Sequence, residues 1–386
     1  NENGKILILM NNRLSIRRVC INNSKTEDLY SKKEIEELLD KMGLTYKKFY
    51  YPLPSCEMTN VIFTDKHLPD EETISRNEAD DIELNKENEL YKDIIKQDKN
   101  LFKIFANCFF IECSKYEFKD NEIEFVSFSN MRKEEYRIKT IIKGNSVYKD
   151  NLNDNSIAHI KNIEKNIDIL KQCNINTLDR YEDLVVISAY QKDKDTLDKI
   201  LIEKLKQGNV EEVKEIMKNL YLELQQKLES VETDKNVFDK YEIAYEKEDI
   251  NNLTFIKYGF WDMILQNIFY IDDKYFFYDQ EWLEENIPIE FLIYRTIAYN
   301  PELVKMLDLK MLLNEFNITD KNISLFQILD NKLQEKTRNN EAWRIHTQVN
   351  NLNKILDNLN AKYEEIKILQ NDKEKITQDC RKLLNE

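Results

Sequence analysis

Hydrophobic positions divide the chain into segments with different periods. Lys5–Met10 is a continuous apolar run, which predicts a β-strand that is buried on both faces. Ser31–Leu44 has its apolar residues at helical spacing, and Ser31 stands where an N-cap is expected. Two short strands follow, at Tyr46–Tyr51 and Asn60–Thr64. The pattern therefore predicts a small α/β segment over residues 1–68 that is incomplete as a domain.

The pattern changes twice before residue 336. Residues 69–99 are acidic with little apolar periodicity, which predicts a linker. Residues 100–190 contain short apolar runs separated by turn residues, which predicts an antiparallel meander, with one amphipathic helix over residues 154–170. Helices dominate from residue 191 to residue 335. A strand-rich lobe followed by a helix-rich lobe predicts an α+β domain over residues 100–335.

Residues 336–386 are predicted to form a long helix that assembles as a coiled coil. Neither glycine nor proline occurs between residues 343 and 386, and eight of the ten seam positions are apolar if cysteine is counted. With Leu352 as heptad position a, the a and d positions of the seam are Leu352, Ile355, Leu359, Lys362, Ile366, Leu369, Lys373, Ile376, Cys380 and Leu383. The alternative is a helix that packs back onto its own domain.

Composition restricts the possible partners. The 386 residues include 72 acidic and 57 basic side chains, a net charge of −15 that argues against nucleic-acid binding. No run of eighteen uncharged apolar residues occurs, so no transmembrane segment is predicted. The six cysteines contain no C-x-x-C pair, which predicts neither a zinc site nor a disulfide framework and favours a cytoplasmic setting. Cys108 and Cys113 are predicted core residues, and His159 is predicted to pack or to face solvent on its helix.

The segment that could carry chemistry surrounds a predicted hairpin at residues 268–279. The hairpin would hold Asn267 at its entry and Asp279 at its exit, so the two lie close together. Phosphoryl transfer uses an aspartate as base, an asparagine five residues later on the metal, and a second aspartate that bridges Mg²⁺ to the phosphates. Asp262, Asn267 and Asp279 fit these roles in that order. The alternative is that Asp262 caps a helix and that Asp279 and Glu281 lie on a solvated strand end.

The preceding lobe offers the groups that would bind a nucleotide. Lys149 ends a predicted strand immediately before the helix at 154–170, which makes it the candidate phosphate ligand. Glu164 lies on the edge of that helix's apolar stripe, where it could pair with Lys149, although an exposed position is an alternative. The turn at 129–132 would cover the phosphates but contains no glycine. Its candidate phosphate contacts are the side chains of Asn130 and Arg132.

These residues resemble the kinase-like superfamily. An Asp-x4-Asn loop followed by Asp279-Gln-Glu281 is similar to small-molecule and sugar kinases. Together with Pro288–Arg295, it resembles the kinase half of bacterial methyltransferase–kinase proteins, which are similar to the enzyme that caps O-antigen chains. Residues 4–14 and 50–54 look like the closing segment of a class I S-adenosylmethionine methyltransferase. The chain departs from these patterns because it has no glycine-rich cofactor loop and because Trp261 stands where many kinases have arginine.

The resemblance implies a bilobal kinase-like domain, preceded by a methyltransferase remnant and followed by a coiled coil. It implies ATP and Mg²⁺ as cofactors, with a glycan or sugar of cell-surface polysaccharide biosynthesis as the acceptor. It also implies a homo-oligomer or a protein partner through the coiled coil, in the cytoplasm or at the inner face of the membrane. Two alternatives stay open: a pseudokinase scaffold, or the carboxyl-terminal part of a methyltransferase.

Overall fold

The computed structural model of the chain describes residues 4–20, 29–75, 84–117 and 122–385. It divides into two compact units. The first comprises Asn1–Lys119 together with Asn340–Glu386, and the second comprises Asp120–Asn339.

The first unit contains an antiparallel four-stranded sheet and short helices. Its elements before residue 119 are β1 (Ile6–Asn11), α1 (Ile16–Cys20), α2 (Lys32–Lys41), β2 (Tyr46–Pro54), β3 (Thr59–Thr64), α3 (Glu71–Ser75), α4 (Leu84–Gln97), α5 (Phe102–Phe105) and β4 (Cys108–Ser114). The strand order is β1-β4-β2-β3. Strand β4 is antiparallel to both of its neighbours, so β1 and β2 run parallel to each other.

Two predicted boundaries require correction. The segment that starts at residue 100 was assigned to the second domain, but β4 pairs with β1 and β2 and therefore belongs to the first unit. The predicted linker at 69–99 contains α3 and α4 instead, while residues 76–83 of that prediction lie outside the described residues. Helix α4 buries Tyr91 and Ile95 completely or nearly so. These two residues, at i and i+4, share one face of the helix and anchor it although much of the segment is charged.

The predicted helix at Ser31 is confirmed, whereas the burial predicted for the first strand is wrong. Ser31 accepts a hydrogen bond from the backbone of Glu34, whose side chain accepts one from the Ser31 backbone in return. In β1, Leu7 is 63% exposed and Leu9 is 59% exposed. Within the part of the unit that is described, β4 is the only strand that pairs with β1, so an apolar run that is typical of a central strand lies at an edge.

The cysteines contradict one prediction and confirm another. Cys56 and Cys108 form a disulfide, although their spacing gave no reason to expect a pair. Their Cα atoms are 6.1 Å apart because β4 lies beside β2, and Cys56 follows the end of β2. Sequence spacing does not report which strands become neighbours, which is why the prediction failed. Cys108 and Cys113 are both fully buried, as predicted.

The second unit begins with an antiparallel sheet and continues with helices. Its first half contains β5 (Ile123–Phe128), β6 (Ile138–Lys143), β7 (Ser146–Asn151), α6 (Ile157–Gln172), β8 (Asp179–Glu182) and β9 (Val185–Ala189), in the strand order β5-β6-β7-β9-β8. Helix α6 packs on this sheet through Ile160, Ile163 and Ile167, which are all buried with Ile138 and Val186. The predicted meander and its amphipathic helix are therefore present.

The second half of this unit is mainly helical, as the α+β order predicts. Its elements are α7 (Leu197–Lys206), α8 (Val210–Lys227), α9 (Val237–Lys240), α10 (Lys247–Ile250), β10 (Phe255–Phe260), β11 (Ile268–Ile271), β12 (Lys274–Phe277), β13 (Leu283–Pro288), α11 (Ile289–Ala298), α12 (Pro301–Met306), α13 (Leu309–Asn314) and α14 (Asp320–Thr337). One large core holds them together, with α11 at its centre, where Phe291, Leu292 and Ile293 are buried. Strand β10 pairs with β13, and β11 pairs with β12.

The predicted carboxyl-terminal helix is present as α15 (Asn340–Asn385). The seam residues Leu352, Leu359, Ile366 and Leu369 are each between 47% and 61% exposed. The seam side chains of Cys380 and Leu383 lie outside the described residues. Across the described ranges, no helix combines the length and the apolarity that a membrane span requires.

Candidate functional site

The predicted hairpin brings Asn267 and Asp279 together. Strands β11 and β12 pair from Ile268 with Phe277 to Ile271 with Lys274. Asp272 and Asp273 make the turn with φ angles of 51° and 55°, as a two-residue hairpin turn requires. Below the last pair, the Tyr278 N–H donates to the Asn267 carbonyl over 3.1 Å. Asn267 and Asp279 therefore lie at the open end of the same hairpin.

Asp262 lies beside this open end, after strand β10. Two amide side chains hold its backbone: Asn267 Nδ2 donates to the Asp262 carbonyl over 2.9 Å, and Gln280 Nε2 donates to it over 3.1 Å. Burial and the nearby charge of Glu281 raise the pKa of Asp262 to about 7, although Arg295 acts in the opposite direction. A half-buried carboxyl with this pKa is suited to act as a general base near neutral pH.

Lys149 connects the sheet to the residues that follow the hairpin. It lies on β7 with only 8% of its surface exposed. Its ammonium forms ion pairs with Asp279 Oδ1 and, over 2.9 Å, with Glu281 Oε1. The fold thus joins a strand lysine to an acidic pair that follows it by 130 residues or more. This contact was not predicted, because the proposed partner of Lys149 was Glu164.

The structure gives Glu164 a different partner. Its carboxylate lies near the Tyr181 hydroxyl, and in the described part of the chain the ion partners of Lys149 are Asp279 and Glu281. Glu164 follows Ile163, which points into the core, and the next strands place Tyr181 beside it. The predicted Lys149–Glu164 pair therefore does not form, since Glu164 lies on the side of α6 that faces β8.

Glu281 is an almost completely enclosed charge of the site. Its side chain is 2% exposed and also contacts Arg132 through an ion pair and His159 Nε2 over 3.2 Å. Burial alone would raise the pKa of Glu281, but the positive charges of Arg132 and Lys149 hold it well below its ordinary value. Glu281 is therefore an anion that cations and a histidine surround.

The turn before β6 lies over this group. Arg132, predicted as a phosphate contact, pairs with Glu281, and its guanidinium centre is 5.4 Å from the centre of the Trp282 ring. Asn130, the other predicted contact, lies in the same turn, where its N–H donates to the Phe128 carbonyl over 3.0 Å. The Lys133 N–H donates to the Thr337 carbonyl over 2.9 Å, so hydrogen bonds to the end of α14 hold the turn without glycine.

Sequence reasoning missed three residues that support this site. His159 packs, one of its two predicted alternatives, since it is 2% exposed and stacks on Trp282 with ring centres 4.5 Å apart; its contact with Glu281 was not predicted. Asp179 is also buried, and its Oδ2 accepts a hydrogen bond from the Asp279 N–H over 2.8 Å. Neither residue forms part of a local motif, so spacing gave no signal.

The third missed residue is Arg295 on α11. Its Nε donates to the Trp261 carbonyl over 2.7 Å, and its guanidinium centre is 4.8 Å from the Trp261 ring. It also forms an ion pair with Asp330 and is 2% exposed. A positive charge therefore lies next to Asp262 even though position 261 holds tryptophan. A cation in the last turn of a mainly apolar helix was the available signal.

The donor set of the site is compatible with a hard cation. Asp279 Oδ1 is buried, and among the described residues its one polar contact is the Lys149 ammonium. None of the hydrogen bonds in the described ranges uses the side-chain oxygen of Asn267, whose Nδ2 is committed to Asp262. Amide and carboxylate oxygens are the ligands that Mg²⁺ prefers, with water and phosphate completing its shell. The described residues contain no group of three or more His, Cys, Asp or Glu side chains arranged to hold a metal.

Comparisons with known proteins return distant structural similarity. No family model and no curated protein match the chain. Among solved structures, LicA in complex with AMP is 12% identical with a TM-score of 0.32, covering 60% of this chain and 86% of that one. APH(2″)-IIa in a ternary complex with streptomycin and ATP is 12% identical with a TM-score of 0.31, covering 54% and 86%. APH(2″)-IIa with gentamicin is 12% identical with a TM-score of 0.32, covering 68% and 94%.

Proposed function

We propose that this chain is a Mg²⁺- and ATP-dependent phosphotransferase whose acceptor is not a protein. The observation that carries the proposal is the contact of the strand lysine Lys149 with Asp279 at the open end of the hairpin that also holds Asn267. A lysine for the phosphates, an asparagine and an aspartate for the metal, and a further aspartate as base make up the set that phosphoryl transfer requires.

In this proposal each residue has one task. Asp262 accepts the proton of the acceptor hydroxyl, for which a pKa of about 7 is suitable. Asn267 and Asp279 hold the metal, and Lys149 binds the phosphates. The bound Mg²⁺ supplies charge neutralisation of the phosphates. Arg132 and Asn130 add contacts from the turn, and Arg295 fixes the backbone next to Asp262 through the Trp261 carbonyl.

A thermal-unfolding titration with Mg·ATP tests the function. A ligand at about 100 times its Kd adds about 2.7 kcal/mol to the free energy of unfolding, which corresponds to about 5–10 °C for a unit of this size. We expect a shift of that order for the wild type and little metal-dependent shift for Asp279→Asn. Asp273→Asn is the matched control, because Asp273 lies at the exposed tip of the same hairpin. A wild type that does not respond to millimolar Mg·ATP contradicts the proposal.

The second candidate is a pseudokinase that retains the fold as a scaffold. The ion pair between Arg132 and Glu281 favours it, since a turn without glycine is held over the acidic pair. The two candidates differ in chemistry, because a pseudokinase releases no ADP from Mg·ATP in the presence of sugar or glycan acceptors. Coupled-enzyme detection of ADP distinguishes them, with Asp262→Asn as the inactive reference.

Three finer features complete the proposal. The resemblance suggests a glycan or sugar as the acceptor. The first unit is proposed as a methyltransferase remnant, which is supported by the reversed strand β4 between the parallel strands β1 and β2, an arrangement compatible with the end of a wound α/β sheet. Helix α15 is proposed to assemble as a coiled coil with a second copy or a partner, which is supported by its exposed apolar seam.

A further inference from the structure

We propose that Glu281, rather than a glutamate of helix α6, is the residue that positions Lys149, and that α6 acts on the lysine through Glu281. This inference rests on the proposed function, because a positioned lysine has a role only where phosphates bind. A strand lysine needs a fixed carboxylate to hold its ammonium toward the phosphates, a task that an ion pair with a helix glutamate performs in protein kinases. Here Glu164, the glutamate of α6, lies near the Tyr181 hydroxyl, and the ion pairs of Lys149 are with Asp279 and Glu281.

The two carboxylates on Lys149 differ in how firmly they are held. The side chain of Asp279 is 33% exposed, and that of Glu281 is 2% exposed. Asp279 Oδ1 has the Lys149 ammonium as its polar contact among the described residues. Glu281 instead uses both oxygens, with Oε1 on Lys149 and Oε2 shared by Arg132 and His159. Glu281 is therefore the fixed partner, whereas Asp279 has an oxygen that can exchange the lysine for a metal.

Helix α6 reaches Glu281 at two points that are two turns apart on one face. His159 contacts the Glu281 carboxylate, and Asn166 Nδ2 donates to the backbone carbonyls of Gln280 and Glu281 over 3.1 Å and 2.9 Å. Residues seven apart on a helix share a face. The stacking of His159 on Trp282 fixes the imidazole plane from the other side. Helix α6 thus orients Lys149 indirectly: it holds Glu281, which follows the hairpin, and Glu281 holds the lysine.

This arrangement divides the Asp-x-Glu pair into two tasks. Asp279, together with Asn267, is left for the metal, and Glu281 is kept from it because both of its carboxylate oxygens already contact cations or the histidine inside the protein. Lys149 keeps one carboxylate when Asp279 turns to the metal. Glu281 and His159 are in this view positioning residues, since neither touches the nucleotide.

The test compares Glu281→Gln with Glu164→Gln by calorimetric ATP affinity, in EDTA and in excess Mg²⁺. We expect Glu281→Gln to weaken ATP binding at least tenfold in both conditions, and Glu164→Gln to stay within twofold of the wild type. Glu281→Asp keeps the negative charge but moves the carboxylate away from Lys149, because the side chain is one methylene shorter. We expect an intermediate loss of ATP affinity in a folded protein. Loss of affinity in Glu164→Gln, with Glu281→Gln unchanged, overturns the proposal. So does a Glu281→Gln effect that is confined to the Mg²⁺ condition, because that is the behaviour of a metal ligand.

A double-mutant cycle of unfolding temperatures, measured without nucleotide, separates this inference from the proposed function. Lys149→Met is combined with Glu281→Gln and, as the matched control, with Glu164→Gln, and the unfolding temperatures are compared. Coupled residues give non-additive shifts, so the Lys149→Met/Glu281→Gln variant should lose clearly less than the sum of its single variants. The control cycle should be additive. If the first cycle is additive, Glu281 does not hold Lys149; if it is coupled while the wild type binds no ATP, the proposed function fails and the pairing stands.

Discussion

The candidate site and helix α15 both depart from the usual rule that charged side chains are exposed and apolar side chains are buried. The site buries charges, whereas α15 exposes apolar residues. At the site, Lys149, Glu281 and Arg295 are charged and no more than 8% exposed. On α15, Leu359 and Ile366 are apolar and more than half exposed. Each arrangement is unfavourable for a monomer by itself, because burying charge costs desolvation energy and exposing apolar surface forgoes the hydrophobic gain. The contrast is what the two proposals require, namely a ligand at the first region and another chain on the second.

The largest effect should come from breaking a buried ion pair. Asp330→Asn leaves the Arg295 guanidinium buried without its carboxylate, which should cost about 3 kcal/mol of unfolding free energy and about 10 °C in Tm. Asp320→Asn is the control on the same helix, because its pair with Lys310 is exposed on both sides and should contribute about 0.5 kcal/mol or less. Equal losses for the two variants, measured by calorimetry, would mean that the buried pair has no special weight.

A smaller, pH-dependent effect is expected at Asp262. Its pKa of about 7 in the folded protein lies above the ordinary value of 3.8, so the folded state retains a proton that the unfolded state has lost. The free energy of unfolding of the wild type therefore falls as the pH rises from about 4 to about 7. The Asp262→Asn variant has no proton to lose at this position, so its stability lacks this fall. For a half-buried group we expect the variant to gain about 2 kcal/mol over the wild type by pH 8. A difference in Tm that is constant between pH 5 and pH 8 would contradict this assignment.

Substitutions on α15 should have the smallest effect on unfolding. They should change the molecular mass of the assembly instead. Leu359→Lys combined with Ile366→Lys places charges on the seam and should reduce an oligomer to a monomer in light scattering. The Tm of the second unit should stay within about 2 °C of the wild type, because the seam is exposed. Asn360→Lys with Asn371→Lys adds the same charge outside the seam and should keep the wild-type mass. A double-seam variant with unchanged mass argues against the coiled coil.

Local signals predicted much of the fold. The N-cap at Ser31, the hairpin at residues 268–279 and the long helix α15 depend on neighbours in sequence, and all three appear as expected. The β1 run was read correctly as a strand but not as an edge, since its neighbours are set elsewhere in the chain. The pairing of β4 with β1 joins residues about 100 apart, and no local pattern reports such a contact.

The site shows the same difference between local features, which the sequence predicted, and long-range contacts, which it did not. The hairpin placed Asn267 beside Asp279 because the two lie on one short local element. The partner of Lys149 was wrong because it depends on which side of α6 faces the hairpin, and a helical stripe edge allows either. His159, Asp179 and Arg295 each act on residues between 34 and 122 positions away, beyond the reach of spacing rules.

The most direct test of the central claim is to locate the metal. Crystals grown with a non-hydrolysable ATP analogue and Mn²⁺ in place of Mg²⁺ would show the ion by its anomalous scattering. The account predicts one peak bonded to the side-chain oxygens of Asn267 and Asp279, with Lys149 on the phosphates and still paired with Glu281. A peak bonded to Glu281, or nucleotide bound away from these residues, would contradict it.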